Sequence, residues 1–245
     1  MRFAFRLLLV TKHEAVLAMP HQFQIPIIKV PIGRFLLLLI SLVLWFVLSP
    51  FLERLVGFSF LMGLFVTLVL ISGVFAVIQK RGFFIFSLCF AIFTALTRWS
   101  LHLLNISSLE PVNHILSILF MGFIVGIILS YLFKEKEITS DVIMGAICGY
   151  FLIGLLWNNV YALLEVLEPN SFQFSQSHDT GGGLDFIYYS FVTLTTLGFG
   201  DITPISNPAQ SLSLLEAVMG QLYLAILVAR LVGIHIAQSF AKKSS

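Results

Sequence analysis

Charge is what this chain has least of. Only 11% of its residues are Asp, Glu, Lys or Arg, while 58% are hydrophobic and the mean hydropathy is +1.00. A soluble domain carries about a quarter of its residues as charges. A soluble core is therefore excluded, and the chain is read as an integral membrane protein with the lipid bilayer as a partner. Cysteine is almost missing. Cys89 and Cys148 both lie in apolar runs and read as small packing residues. No Cys/His cluster has metal-ligand spacing. No glycine loop sits in a nucleotide-binding strand–helix context, and no nucleophile–base signature occurs. No enzymatic activity and no cofactor is expected. The net charge of +2 says little, and no nucleic-acid partner is expected.

What is present is a series of apolar runs: Phe35–Pro50, Phe58–Ile78, Phe83–Leu101, Ile115–Phe133, Val142–Leu164 and Leu212–Ala237. Each is near the roughly 20 residues a helix needs to cross the hydrocarbon core. A further segment, Asp185–Thr196, is too short: about 12 residues at 1.5 Å rise reach about 18 Å. Basic residues set the orientation. With six spans and the N-terminus inside, Arg2, Arg6, Lys12, Lys29, Arg34, Lys80, Arg81, Lys134, Lys136, Lys242 and Lys243 are cytoplasmic, and Arg230 lies in the inner third of the last span. Only Arg54 and Arg98 fall outside, in keeping with the positive-inside rule. Both termini are expected in the cytoplasm. Residues 1–34 are read as a cytoplasmic arm, since the apolar stretch Phe3–Val10 has no small-residue cleavage site after it.

Between the last two spans stands Thr195-Thr196-Leu197-Gly198-Phe199-Gly200-Asp201. Two glycines alternate with larger residues after two threonines. Successive carbonyls converge on one axis only if some residues reach positive φ, which glycine does without Cβ strain. Non-helical backbone at membrane depth survives only inside protein or along water, so this segment implies a water-filled path. The preceding Asp185–Thr195 stretch reads as a short helix with Asp185 at its positive end. Its C-terminal end carries about half a negative charge and favours a cation in a central cavity. The carbonyls of Thr196, Leu197, Gly198 and Phe199, with the Thr196 hydroxyl, offer stacked oxygen rings, and Pro204 closes the loop.

The Thr-Leu-Gly-Phe-Gly-Asp string, following an aromatic-rich short helix and lying between two spans, resembles the potassium-channel pore superfamily, in particular its small bacterial members. In that family carbonyl rings of this kind replace the ion's hydration shell. The resemblance covers about Val142–Ala237. It implies an all-α membrane protein of six transmembrane helices, with a re-entrant pore helix and selectivity-filter loop between the fifth and sixth. It also implies a potassium-selective channel in a bacterial inner membrane. Four filters surround one axis in the family, and this chain has one, so a homotetramer is expected. By resemblance, Thr196, Leu197, Gly198, Phe199 and Gly200 form the filter, with K+ held at Thr196, Leu197, Gly198 and Phe199. Thr195, Tyr188 and Asp201 support it, a Tyr188–Asp201 hydrogen bond included. Gly220 marks either an inner-helix hinge or a close packing point, and Leu224, Val228 and Val232 line the pore on one helical face. Two features depart from the family's commonest pattern. Phe199 replaces a tyrosine, which removes a hydroxyl contact, and Val192 stands where some bacterial members carry a bracing carboxylate.

The first four spans, 35–137, are read as a bundle resembling a voltage sensor without its charges or as a different four-helix packing, ahead of a pore domain at 138–241 and a tail at 242–245. A voltage sensor needs repeated arginines in its fourth span, and Ile115–Phe133 has no Arg or Lys. His114 at its edge is read as an interface residue, and Gly122 with Gly126 as a tight-packing pair. Arg98, His102, Glu110 and His114 read as solvated polar ends. Glu165, Glu168 and Asp179 belong to a flexible outer turret with no required role. No attached ligand-binding domain is expected after the inner helix. Two alternatives share the residues: a weakly selective cation channel, and a non-conducting regulatory membrane subunit.

Overall fold

The structure, a computed structural model, describes residues 35–52, several residues between 88 and 100, 109–175 and 183–243. All fall in one compact unit, Ile32–Ser245. The expected span Phe58–Ile78, the arm 1–34, Cys89, Arg98, His102 and Asp179 lie outside the described residues, and Phe83–Leu101 lies partly outside. Those described between 88 and 100 are helical.

Five helices carry the described fold: α1 Leu36–Leu52, α2 Glu110–Lys134, α3 Ser140–Leu167, α4 Gly183–Leu194 and α5 Asn207–Lys243. Among the described residues three are long and apolar enough to cross a membrane, Glu110–Lys134, Ser140–Leu167 and Asn207–Ile236. The boundaries follow local chemistry. Pro111 opens α2, where its missing N–H costs nothing. Lys134 sits in the last turn, against the negative end of the dipole. Thr139 caps α3 by accepting from the Val142 amide at 3.3 Å. Ser206 caps α5 by accepting from the Ala209 amide at 3.3 Å. The caps extend each helix past its apolar window, and α5 continues to Lys243, into the expected 242–245 tail.

The short 135–139 connection folds α2 back on α3 as a helical hairpin. Ile124, Ile128 and Leu132 of α2 and Leu152, Leu155 and Trp157 of α3 are buried in one core. Helix α1 joins it through Phe35, Leu38, Leu42 and Trp45. The Cys148 thiol sits 3.6 Å from the Phe35 carbonyl, a buried packing residue without a disulfide. Helix α4 lies between α3 and α5.

Two three-residue strands not read from sequence close the outer end. β1 Phe172–Phe174 pairs antiparallel with β2 Ile202–Pro204, in the register Phe172↔Pro204, Gln173↔Thr203 and Phe174↔Ile202. β1 drives Phe172 into an aromatic cluster: its ring centroid is 5.4 Å from Tyr161, 5.1 Å from Phe186 and 5.3 Å from Tyr189, all near edge-to-face. Such pairs contribute about 0.5–1.5 kcal/mol each beyond area burial. Because β2 directly follows Asp201, the strand pair pins the outer end of the 195–201 loop to α3 and α4.

Candidate functional site

The loop begins where α4 ends, and the ending has a defined geometry. The Leu197 amide donates to the Val192 carbonyl at 2.9 Å, and the Thr196 amide donates to the Thr193 carbonyl at 2.9 Å. This 6→1 and 5→2 pairing is a Schellman cap, which requires a left-handed residue at the position Thr196 occupies. Thr196 has φ 58. Glycine usually fills this position, and an L-residue in the left-handed region costs about 1–2 kcal/mol. A β-branched residue held there is an outlier of the kind that gathers at functional sites. What threonine supplies and glycine cannot is a hydroxyl at the inner end of the loop.

Left-handed residues then recur at every second position: Gly198 has φ 58 and Gly200 φ 79. An extended strand points successive carbonyls to opposite sides. Alternating the sign of φ turns them toward the same side, as the sequence pattern predicts. A Cβ at Gly198 meets nothing within 4 Å among the described residues, so the demand for glycine there comes from the backbone and not from crowding.

At the outer end, the Tyr188 hydroxyl donates to Asp201 Oδ2 at 2.6 Å, the bond expected from the sequence. The Tyr188 ring stacks on Phe199, with centroids 6.4 Å apart and planes at 5°. The Asp201 carbonyl accepts from the Ser175 amide at 2.9 Å, joining the loop to the end of β1. At the inner end, Thr195 Oγ1 donates to the Phe191 carbonyl at 2.6 Å, while Tyr150 of α3 donates to the Leu194 carbonyl at 3.3 Å.

Helix α5 supports the loop from the other side. A Cβ on Gly220 would collide with the Leu194 carbonyl, so this glycine lets α5 touch the end of α4. The helix runs unbroken through it. One residue on, Gln221 Nε2 donates to Thr196 Oγ1 at 3.1 Å, and that hydroxyl donates to the Thr195 carbonyl at 2.7 Å. Leu224, Val228 and Val232 lie along α5 and are exposed within the single chain, as are Leu222 and Ile226.

Several residues of consequence escaped the sequence reading. Gln221 is one. Another is Glu216, fully buried and bonded at 2.5 Å by both Tyr161 of α3 and Ser190 of α4. It is the single acidic residue of the last apolar span, and an ionisable residue inside a span is itself a signal. Arg230 donates to the carbonyls of Leu132 and Glu135, each at 2.9 Å, tying α5 to the end of α2.

Among the described residues nothing packs tightly on the expected pair Gly122 and Gly126: Gly122 has only an ordinary 3.6 Å neighbour, and Gly126 has none within 4 Å. Close approaches fall instead on α3, where a Cβ would sit 2.7 Å from the Tyr223 hydroxyl at Gly149 and 2.7 Å from the Phe191 ring at Gly154. Glu165 is not an idle turret charge, since its carboxylate accepts from the amides of Asn170 at 2.7 Å and Ser171 at 3.1 Å. His114 packs against α3, with Nδ1 3.1 Å from Asn159 Oδ1. Asn159 Nδ2 already donates to Leu155 O, so the histidine supplies the proton. Among the described residues no His/Cys/Asp/Glu group could hold a metal ion.

In comparison with known proteins, residues 143–235, from α3 through the loop to α5, match the family model described as ion channel. No curated protein and no solved structure matches. Residues 143–235 are thus similar to an ion-channel family, and among the described residues three helices are long and apolar enough to cross a membrane.

Proposed function

We propose that four copies of this chain surround one axis and form a potassium-selective channel that conducts passively. The observation that carries this reading is the alternation of left-handed residues at Thr196, Gly198 and Gly200. It suits a column of carbonyl rings from Thr196, Leu197, Gly198 and Phe199 that replaces the hydration shell of K+. In this reading α4 is the re-entrant pore helix, α3 the outer helix and α5 the inner helix, in a chain of six spans with both termini in the cytoplasm. Leu224, Val228 and Val232 line the inner pore, and Gly220 is also where the inner helix bends on opening. Thr195, Tyr188 and Asp201 brace the filter. The channel resides in the inner membrane of a bacterium and takes no cofactor.

The test is ion flux from purified protein in liposomes. Efflux driven by a potassium gradient is expected, with sodium flux at most a small fraction of it. Equal potassium and sodium flux would convert the reading to a weakly selective cation channel, and no flux of either would convert it to a non-conducting subunit.

A further inference from the structure

We propose that Glu216 is a neutral, proton-carrying positioning residue that clamps the pore helix α4 between α3 and α5 and so holds the filter from behind; its role in conduction rests on the channel reading above. Ser190 Oγ lies 2.8 Å from the Gly154 carbonyl and 2.5 Å from Glu216 Oε1. Tyr161 Oη lies 2.5 Å from Glu216 Oε2. These three oxygen–oxygen contacts need three hydrogens, one between each pair. The two hydroxyls supply two. A carbonyl oxygen has none, so the third comes from the carboxyl.

With that proton in place every contact is satisfied. Glu216 Oε1–H donates to Ser190 Oγ, Ser190 O–H donates to the Gly154 carbonyl, and Tyr161 O–H donates to Glu216 Oε2. With an ionised carboxylate, Ser190 must abandon one acceptor, leaving two oxygens in contact with no hydrogen between them. The nearby Tyr189 hydroxyl does not relieve this. It pairs with Ser213 at 2.6 Å, and Ser213 in turn reaches the Ala209 carbonyl at 2.7 Å, so the two hydroxyl hydrogens of that branch are already engaged.

Burial points the same way. Glu216, Ser190 and Tyr161 each have 0% exposure in the single chain, before any second copy covers them. No cation among the described residues bonds to the carboxyl. An isolated charge in such a place neutralises instead of persisting. The clamp also has a reason to exist. Phe199 brings no hydroxyl to the filter, and Val192 brings no carboxylate from the pore helix. Glu216 brings a carboxyl from the inner helix to the middle of α4, one turn before the residues whose carbonyls cap the loop.

The experiment has two independent arms on the full-length protein. The first is infrared spectroscopy of purified wild type and Glu216→Gln at neutral pH. The expected difference is the carbonyl-stretch band of a protonated carboxyl, present in the wild type and lost in the variant. A carboxylate band in its place overturns the proposal, and this arm needs no conduction.

The second arm compares flux through Glu216→Gln and Glu216→Ala. A neutral carboxyl that donates once and accepts once is mimicked by an amide, so Glu216→Gln is expected to retain flux. Glu216→Ala leaves the Tyr161 hydroxyl without its acceptor, and a loss of about tenfold or more is expected. If Glu216→Gln fails as badly as Glu216→Ala, or if both conduct like wild type, the clamp is refuted. If the wild type itself carries no flux, the channel reading falls, while the infrared arm still decides where the proton is.

Discussion

Thr196 is where a single residue shows most about the site. A glycine would end α4 with less strain, yet the chain holds a β-branched residue at φ 58. Its hydroxyl is shared between the Thr195 carbonyl and the Gln221 amide. In the channel reading that donor competes with a cation for a hydroxyl lone pair at the innermost ring. Gln221→Leu removes the donor and one hydrogen bond, about 0.5–1.5 kcal/mol. The potassium concentration giving half-maximal single-channel conductance is then expected to fall about two- to tenfold, by the same energy expressed as an affinity. An unchanged concentration dependence would show that the bond does not bear on the ion. Gly198→Ala tests the backbone itself. The new methyl has room, so the cost is the left-handed φ, about 1–2 kcal/mol in each subunit. Loss of potassium flux is expected, and undiminished selective flux in that variant would sink the filter assignment.

At the scale of elements, much was legible and the omissions have a common cause. Runs of apolar residues marked α1, α2, α3 and α5, because a helix in lipid must be apolar all round. The short aromatic segment ending at two threonines marked α4 and its exit. The boundaries moved outward because capping residues such as Thr139 and Ser206 are polar and fall outside any hydropathy window. The strands were invisible since Phe-Gln-Phe is too short to show a period of two. Glu216 was in plain view, but its partners lie 26 and 55 residues away, and no local pattern connects them. The close approaches at Gly149 and Gly154 were missed for a related reason: a glycine's spacing says that close approach is allowed, while only the neighbour decides whether it happens.

Helix α2 carries the element-scale prediction. The apolar part of this helix, 115–133, has no Lys or Arg; Lys134 stands in its last turn, and Arg230 of α5 reaches the same end. That guanidinium bonds to two carbonyls at the C-terminal end of α2 and lies 5.2 Å from the Phe133 ring, a position favoured by the helix dipole. Each gating charge contributes about 2.3 kcal/mol per 100 mV, and the apolar part of α2 supplies none. A shallow conductance–voltage relation is expected in planar bilayers without blocking ions. Arg230→Gln, which weakens the tie between α2 and the inner helix, is expected to change open probability while leaving that relation shallow. A steep curve in the wild type would reveal a charge carrier elsewhere in the chain.

For the whole molecule, the distribution of unburied surface argues for assembly around the loop. Only 6% of the most apolar stretch of α5 is buried within the chain, against 56% for α3. Lipid alone could cover an apolar helix, but it cannot cover the loop beside it. Leu197 is 57% exposed and Phe199 64% exposed, on a segment whose backbone carbonyls need water or ions as partners. One chain therefore presents apolar side chains and polar backbone on the same short stretch, with α4 and the strand pair backing it on one side. In the proposed channel, rotational closure resolves the conflict: each copy covers the Leu197 and Phe199 side chains of its neighbour while all carbonyls turn to a shared axis, and four copies supply the rings because each chain brings one such loop. Native mass spectrometry of the detergent-solubilised protein is expected to give four chains of 27.4 kDa in one particle. Replacing Leu197 with Asp is expected to shift that population toward smaller species, because a charge would be buried in the contact between copies. A wild-type mass of one or two chains would leave the exposed loop unexplained and remove the axis on which the proposed ion path depends.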